Sequence, residues 1–393
     1  MSSDPIVIVG AKRTPIGSFQ GTLSGATAID LGAAANRAAL AQAGVDGADV
    51  SEIITGCVLP AGVGQAPARQ AALAADVPIN VPCTTVNKVC GSGMKTVMMG
   101  HNALVAGAAD IVLAGGLESM SNAPYLLPNA RSGYRMGHQQ TLDHMFYDGL
   151  QNPYDGNMMG HFAEATCDRY SFTREQQDQF SIESVEWALA AIEEGRFDDE
   201  ITPVTFTARR KEVTVEKDEE PFNCDVAKIP AMRPAFRRDE GTVTAASSSS
   251  ISDGAASLVL MKASTAAARN LNVLATIRGA TGFAHEPEWF TTAPSSAIKN
   301  LHEQLGWSSE SVDLYEINEA FACVTMAAMH DVGITRDKVN VNGGACALGH
   351  PIGATGSRLL VTLIYALRNR GLSRGVASLC IGGGEALAVG IEV

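Results

Sequence analysis

The chain of 393 residues carries 42 Asp and Glu against 29 Lys and Arg, a formal net charge of −13, and 46% of its residues are hydrophobic. Only 18% are charged, which excludes an intrinsically disordered chain, since such chains are rich in charge and poor in apolar residues. The acidic balance argues against general nucleic-acid binding, which needs phosphate-neutralising Lys and Arg. The length favours two or three domains with sizeable cores.

No stretch has the composition of a membrane span or a targeting segment. The longest apolar runs fall far short of the roughly 20 residues that a bilayer crossing needs. Residues 6–9 and 390–393 are predicted to be strands, not a signal peptide or a peroxisomal address. We therefore expect a cytoplasmic protein without a membrane partner. The eight cysteines are expected to be thiols, and the lack of zinc-binding spacings predicts no metal.

The N-terminal part alternates short apolar runs with alanine-rich helical segments. A strand at 6–9 precedes a helix at 28–43, and a second strand follows at 52–59. A glycine-rich turn at 90–93 opens another helix, and a buried strand follows at 110–114. Strands that alternate with helices indicate βαβ units and a largely parallel sheet.

The middle of the chain has a different character. Residues 122–160 show no clear periodicity and are predicted to form a long irregular excursion, which in compact enzymes is usually functional. Thr173 and Gln176 fit a capping box that opens the next helix. The most charged run, residues 208–220, is interpreted as a solvated surface segment.

The C-terminal part repeats the N-terminal pattern. A glycine-rich turn at 349–353 opens a helix that is predicted to end near Gly371. A strand at 376–380 then runs into three consecutive glycines at 382–384. The shared order of glycine-rich turn, helix, strand and glycines indicates an internal repeat.

Cys90 is a candidate nucleophile from its position alone. Most free cysteines are small buried hydrophobes, but Cys90 directly precedes Gly91-Ser92-Gly93 at the N-terminus of a predicted helix. The helix dipole and free N–H groups are expected to favour a thiolate there. The same N–H groups could stabilise an oxyanion on an acyl group attached to the sulfur.

Three further candidates lie in equivalent places. His350 is held in a turn between glycines and followed by Pro351, which fixes the local backbone. Cys380 ends a strand against glycines, next to free backbone N–H groups. Asn318 follows a predicted strand at 314–317, and in α/β proteins the sites lie at such strand ends.

Four separated motifs together resemble the signature blocks of the thiolase family, in the family's order and over essentially the whole chain. Within that family the likeness is strongest to acetyl-CoA acetyltransferases. The four motifs are Val86-Asn87-Lys88-Val89-Cys90-Gly91-Ser92-Gly93-Met94-Lys95, Asn318-Glu319-Ala320-Phe321-Ala322, the glycine-rich block from Asn340 to Gly353, and Cys380-Ile381-Gly382-Gly383-Gly384.

This resemblance implies an α/β fold with two similar βαβ-repeat domains in five layers (αβαβα) and an inserted loop domain. The implied N-terminal domain spans 1–121 and is completed by 251–272. The implied loop domain, at 122–250, would cover the substrate and make oligomer contacts. The C-terminal domain would span 273–393, and the family's assemblies imply a homotetramer, a dimer of dimers.

The resemblance also implies a ping-pong mechanism. Cys90 would take an acyl group from a CoA thioester, and His350 would accept the Cys90 proton. Cys380 would remove the α-proton of a second acetyl-CoA. His350 and a water held by Asn318 would stabilise the enolate oxygen, and the N–H groups of Cys90 and Gly382 would stabilise the acyl-enzyme oxygen.

The substrates implied are acetyl-CoA or another acyl-CoA and CoA, with no separate cofactor. Ser249 aligns with a serine that contacts the pantetheine, and Arg233 is a candidate for the CoA phosphates. Met159, Phe290 and Phe321 are expected near the acyl group. Methionine at 158 and phenylalanine at 290 depart from the usual histidine and methionine, which makes the pocket more apolar and adaptable.

Two alternatives remain open. Because the pocket is expected to be apolar and adaptable, the second hypothesis within the family is a 3-ketoacyl-CoA thiolase of fatty acid degradation that accepts a broader range of acyl chain lengths. A cysteine acyl-hydrolase using Cys90, His350 and Asn318 is the alternative from another class. The hydrolase would have no need of Cys380 beside a second glycine turn, and that cysteine favours carbon–carbon chemistry.

Overall fold

The computed structural model describes residues 4–393 and contains a large mixed sheet with helices on and between its two halves. The strands of this part of the chain are β1 (Ile6–Arg13), β2 (Gly17–Ser18), β3 (Glu52–Gly56), β4 (Cys83–Val86), β5 (Ile111–Ser119), β6 (Tyr125–Leu126), β7 (Leu142–Asp143), β8 (Val204–Ala208), β9 (Lys211–Val215), β10 (Ser252–Lys262), β11 (Ala275–Ala284), β12 (Leu314–Ile317), β13 (Arg374–Ile381) and β14 (Glu385–Glu392). Its α-helices are α1 (Ala28–Ala43), α2 (Pro67–Ala74), α3 (Ser92–Val105), α4 (Met159–Tyr170), α5 (Arg174–Glu193), α6 (Glu220–Asn223), α7 (Ala263–Ala268), α8 (Ala293–Leu305), α9 (Ala322–Val332), α10 (Ala345–Leu348) and α11 (Thr355–Arg370).

The main sheet joins two halves at a narrow seam. Its strand order is β12-β13-β14-β11-β1-β10-β5-β3-β4, and β2 pairs with β10. At the seam, β1 and β11 pair through Val7 with Thr276 and Ile8 with Ala275. Each half thus keeps its own set of strands while the hydrogen-bonded path runs through both.

The prediction of a largely parallel sheet is wrong. Parallel pairs occur in the βαβ units, where β3 pairs with β4 and β5, and between β12 and β13. The long strands β1, β10, β11 and β14 pair antiparallel with their neighbours. A parallel pair needs a long crossover, whereas the short glycine turn between β13 and β14 permits only antiparallel pairing.

The five-layer α/β arrangement expected from the sequence is confirmed. Helices α1 and α2 cover the N-terminal strands, α8 and α9 cover the C-terminal strands, and α3 packs against α11 between the two halves. The central helices approach closely, since a Cβ on Gly356 would lie 2.3 Å from the backbone nitrogen of Met94. The central layer is where the glycine-rich turns before α3 and α11 meet.

Several local predictions are also confirmed. Helix α1 spans the predicted residues and starts at a capping box formed by Thr27 and Asp30. The predicted capping box of Thr173 and Gln176 opens α5. Gly371 closes α11 with a left-handed backbone conformation at φ +66°, the usual role of glycine at a helix C-terminus.

The segment from 122 to 250 carries two small hairpins, β6–β7 and β8–β9, with α4 and α5 between them. The surface interpretation of residues 208–220 is wrong for Asp218, which is buried against the Arg13 guanidinium at 2.7 Å. The division into domains 1–121 with 251–272, 122–250 and 273–393 stays a prediction, and residues 1–3 lie outside the described part.

All eight cysteines are free thiols. Within residues 4–393, no helix is both long enough and apolar enough to cross a membrane.

Candidate active site

Cys90 lies in the tight turn between β4 and α3. Val89, just before it, has a φ of +46°, a left-handed conformation that is strained for a β-branched side chain. The Ser92 hydroxyl supports this turn: it donates to the Val89 carbonyl at 2.7 Å and accepts the Lys88 N–H at 2.8 Å. The strained turn places Cys90 at the wall of a cavity.

The backbone N–H groups of Gly382 and of Cys90 itself lie near the Cys90 sulfur. These donors favour the thiolate, but burial outweighs them and raises the pKa of the Cys90 thiol from its usual 9.0 to about 11. The N–H groups thus favour the thiolate as expected, but the thiol form predominates at neutral pH. If Cys90 acts as a nucleophile, a base is needed to take its proton.

His350 lines the same cavity as Cys90 and is held by a hydrogen bond at one ring nitrogen. Its Nδ1 lies 2.6 Å from the Thr355 hydroxyl oxygen, and that hydroxyl donates its own proton to the Pro351 carbonyl at 3.0 Å. Thr355 must then accept the Nδ1–H, which leaves the lone pair on Nε2. Nε2 is buried and has no hydrogen-bond partner within residues 4–393.

The electrostatics of His350 favour the neutral form. Burial, together with the nearby positive charge of Arg358, lowers the pKa of His350 from 6.5 to about 3. The imidazole is therefore uncharged at neutral pH and can accept a proton at Nε2.

Cys380 lies at the end of β13 and is fully buried. Burial and the proximity of Cys90 raise the pKa of its thiol well above the usual 9.0. The backbone then turns through Gly383 and Gly384, both with positive φ. The two cysteines predicted to carry the chemistry are thus neighbours, although 290 positions separate them in the sequence.

Asn318 follows β12 and is also fully buried. Neither its side-chain oxygen nor its side-chain nitrogen finds a partner in the described part of the chain. Buried amides are normally satisfied, so this side chain has both a donor and an acceptor available for a water or a substrate.

The loop that follows Asn318 is anchored by Glu319. Its buried carboxylate accepts hydrogen bonds from the Ser184 hydroxyl, the Asn340 side-chain amide and the Cys346 backbone N–H. Glu319 thereby ties the Asn318 loop to the loop that leads to His350. The sequence motif contained this glutamate, but its role as a link is visible only in three dimensions.

Cys90 and His350 border one apolar cavity of about 260 Å³. Seven of the ten candidate site residues from the sequence line it, whereas Cys380 and Asn318 are buried outside the lining set. The seven are Cys90, His350, Gly382, Ser249, Met159, Phe290 and Phe321. Arg233 is exposed and does not line the cavity, so the structure does not bring this candidate into the site.

Sequence reasoning missed several apolar lining residues, including Met120, Phe146, Leu150 and Ile352. Phe146 and Leu150 belong to a short π-helical segment, Phe146–Leu150, inside the excursion. The apolar residues of that excursion do not recur at a regular spacing, so the sequence does not indicate which of them face the cavity. Thr355 was missed as well, although its spacing of five residues from His350 was a usable signal.

The chain matches two family descriptions in succession. Residues 6–264 match "Thiolase, N-terminal domain" and residues 271–393 match "Thiolase, C-terminal domain". The chain belongs to the thiolase family. Two thiolase structures superpose on it over 99% of its length, each with 41% sequence identity. An acetyl-CoA acetyltransferase from Bacillus anthracis has a TM-score of 0.96 over 98% of its own chain. A thiolase from Ascaris suum in complex with coenzyme A has a TM-score of 0.93 over 99% of its own chain.

The curated thiolase relatives are similar over their whole length. Acetyl-CoA acetyltransferase 2 from Arabidopsis thaliana is 49% identical over 390 residues, which cover 99% of this chain and 97% of the relative. Acetyl-CoA acetyltransferase from Pseudomonas aeruginosa is 47% identical over 386 residues and 98% of both chains. The resemblance inferred from four motifs thus extends over the whole thiolase chain.

Proposed function

We propose that this thiolase is an acetyl-CoA C-acetyltransferase that reversibly converts two acetyl-CoA into acetoacetyl-CoA and CoA. One observation carries the proposal: Cys90, a neutral histidine and Gly382 line one apolar cavity, and a second, buried cysteine lies next to Cys90. The curated relatives named above, acetyl-CoA acetyltransferases at 47–49% identity, support the same activity.

In the acylation step, the Cys90 sulfur attacks the thioester carbonyl while its proton passes to His350 Nε2. The carbon–sulfur bond to CoA then breaks, and the imidazolium returns the proton to the departing CoA thiolate. The high pKa of the Cys90 thiol requires this coupled transfer. The N–H groups of Cys90 and Gly382 would stabilise the oxyanion of the tetrahedral intermediate.

In the condensation step, Cys380 first loses its own thiol proton to solvent, and its thiolate then removes the α-proton of the second acetyl-CoA. The resulting enolate attacks the acyl carbon, a carbon–carbon bond forms, and the Cys90–acyl bond breaks. The departing Cys90 thiolate takes up a proton from solvent, which restores the thiol. His350 and a water on Asn318 would stabilise the enolate oxygen.

Substrate recognition is assigned to the cavity residues. Ser249 would contact the pantetheine arm, and Met159, Phe290 and Phe321 would surround the acyl group. CoA and its thioesters are the substrates, and no separate cofactor is proposed. Arg233 remains a candidate for the CoA phosphates only outside the cavity, because its side chain is exposed.

A 3-ketoacyl-CoA thiolase of broader chain length is the second candidate. The specific observation in its favour is the apolar lining, which includes Met158, Phe146 and Leu150, because flexible methionines adapt to different acyl groups. Relative turnover of acetoacetyl-CoA and longer 3-ketoacyl-CoAs distinguishes the two. The cysteine acyl-hydrolase is disfavoured, since hydrolysis gives no role to a second thiol beside the nucleophile.

The decisive experiment traps the acyl-enzyme. After incubation with acetyl-CoA, intact-protein mass spectrometry should show acetylation of the wild type and of Cys380→Ser but not of Cys90→Ser. Cys83→Ser, a half-buried thiol on β4, serves as the control and should keep full turnover. If Cys380→Ser prevented acylation as completely as Cys90→Ser, the assigned roles would be wrong.

Three finer statements remain proposals: a homotetramer built as a dimer of dimers, a cytoplasmic location, and a role in lipid metabolism. Light scattering of the purified chain tests the first directly.

A further inference from the structure

An ion pair joins the turn that carries Cys90 to the turn that carries Gly382. The Lys88 ammonium contacts the Glu385 carboxylate. Lys88 comes two residues before Cys90, and Glu385 directly follows the three glycines at 382–384. β4, which precedes the first turn, and β14, which follows the second, belong to different halves of the main sheet. The pair therefore bridges the two halves beside the cavity.

The backbone is fixed at both ends of this ion pair. The Lys88 N–H donates to the Ser92 hydroxyl at 2.8 Å, and the Lys88 carbonyl accepts the Gly91 N–H at 3.0 Å. Glu385 is the first residue of β14 and lies opposite Ile381 in the antiparallel pair of β13 and β14. A side-chain contact between two such fixed points influences how the two turns lie relative to each other.

The Gly382 turn has few other contacts that could hold it. Within residues 4–393, a Cβ on Gly382 would meet only Val89 Cγ1 at 3.7 Å and Met159 Sδ at 3.8 Å. A Cβ on Gly383 would meet nothing within 4 Å. Glycines also have the most conformational freedom of all residues. The direction of the Gly382 N–H is therefore weakly determined by the turn itself.

The exposure of the ion pair indicates that stability is not its main contribution. The Lys88 and Glu385 side chains are 24% and 39% exposed, and ion pairs with such access to water add little to the free energy of unfolding. Packing already sets the separation of the turns, since a Cβ on Gly91 would lie 2.5 Å from Ile381 Cδ1. What packing leaves open is the orientation of the Gly382 peptide, and the strength of a hydrogen bond depends steeply on orientation.

We propose that Lys88 and Glu385 are positioning residues that align the N–H groups of Cys90 and Gly382, so that both point at the oxygen of the acyl group. Neither side chain lines the cavity, so their effect reaches the substrate through the backbone of the two turns. Donors that are aligned before the reaction stabilise an oxyanion at no cost in reorganisation. This inference rests on the proposed roles of the two N–H groups in the acylation step.

The test measures the single-turnover rate of CoA release at saturating acetyl-CoA. Lys88→Met and Glu385→Gln should each acylate about fivefold more slowly, which corresponds to about 1 kcal/mol. The double variant should lose no more than either single variant, because both changes remove the same contact. The acetyl-CoA concentration that gives half the maximal rate should stay unchanged, since neither side chain lines the cavity.

The carbonyl of the acyl-enzyme gives a second readout that a merely structural role would not move. In a Cys380→Ser background, in which the acyl-enzyme is expected to persist, acetyl-CoA with an isotope-labelled carbonyl carbon places the label on Cys90. Lys88→Met should shift the infrared stretching band of that carbonyl to higher frequency, because its hydrogen bonds to the two N–H groups become weaker.

Two variants serve as controls. Arg269→Met removes another partly exposed ion pair, with Asp49 in the N-terminal half, and should keep the wild-type rate and band. The charge swap, Lys88→Glu with Glu385→Lys, rebuilds the contact with opposite polarity and should regain most of the lost rate. It also carries the test if a single variant does not fold.

Wild-type rates in the folded single variants would overturn the inference, and so would a folded charge-swap variant as slow as the single variants. Losses that multiply in the double variant would also overturn it, because the two residues would then act independently. Failure of the proposed function is distinguishable from these results. If the wild type formed no acyl-enzyme at Cys90, the proposed mechanism itself would be wrong, whereas normal acylation in the wild type would restrict the error to the ion pair.

Discussion

Thr355→Val tests whether one hydroxyl sets the tautomer of His350. Thr355 donates to the Pro351 carbonyl and therefore accepts the Nδ1–H of His350 at 2.6 Å. Valine has nearly the same shape but cannot accept that proton. In the variant, either the buried Nδ1–H loses its partner or the proton moves to Nε2, which then cannot accept the proton of Cys90.

The expected loss follows from the burial of both groups, since Thr355 is 0% and His350 is 6% exposed. An unsatisfied buried donor costs about 1–3 kcal/mol. Each 1.36 kcal/mol changes a rate about tenfold, so the acylation rate should fall roughly 5- to 150-fold. Thr355→Ser keeps the hydroxyl and should remain within about threefold of the wild type.

The assay is single-turnover release of CoA from acetyl-CoA, with circular dichroism to establish that each variant is folded. A folded Thr355→Val enzyme that acylates at the wild-type rate would refute the tautomer argument. Equal losses in the Val and Ser variants would also refute it, since only the Val variant removes the acceptor.

Three further predictions follow from the geometry. In urea titrations, Gly384→Ala should lower the free energy of unfolding by more than Gly383→Ala does. Both glycines have a φ above +90°, so the backbone strain of an alanine is similar at the two positions. A Cβ at Gly384, however, would lie 2.3 Å from the His285 carbonyl oxygen, whereas a Cβ at Gly383 would have no atom within 4 Å. Phe290→Ala should raise the ratio of kcat/KM for 3-ketohexanoyl-CoA to that for acetoacetyl-CoA about tenfold. Phe290 lines the cavity, so its removal makes room for a longer acyl chain, and each methylene of substrate in an apolar pocket is worth about 1–3 kcal/mol of binding. An unchanged ratio would exclude Phe290 from the acyl site. Burial raises the pKa of the Glu118 carboxyl from 4.5 to about 7, so the folded state binds this proton more tightly than the unfolded state does. In urea titrations, the free energy of unfolding should therefore fall as the pH rises from about 4.5 to about 7. The Glu118→Gln variant, which lacks this carboxyl, should show a shallower fall.

The sequence predicted individual helices, caps and strands well because its local signals agree with the tertiary structure, whereas the layered arrangement was implied by the resemblance to the thiolases. The helix at α1, the capping box at Thr173 and the strand β12 were each located by local chemistry. The direction of the strands was not predictable in the same way. It depends on which distant segment returns beside each strand, and β10 arrives only after the whole excursion.

The candidate site residues that lie in glycine-rich turns were predictable from the sequence, whereas the pKa shifts that burial causes were not. The nucleophile, the histidine and the second cysteine all follow or precede glycines that the sequence displays. The raised pKa of the Cys90 thiol was not predictable, because it depends on how far folding desolvates the sulfur, and this effect exceeds that of the nearby N–H groups. Arg233 stays a prediction for the CoA phosphates, since its exposed position outside the cavity neither supports nor contradicts that role.

These pKa directions have a common cause and a common consequence. Burial raises the pKa of the Cys90 and Cys380 thiols and lowers the pKa of His350, so each of the three groups favours its uncharged form at neutral pH. Charge separation in such apolar surroundings is costly. On the proposed mechanism, the Cys90 thiolate therefore forms only as it attacks a bound thioester, whose oxyanion the Gly382 N–H would stabilise.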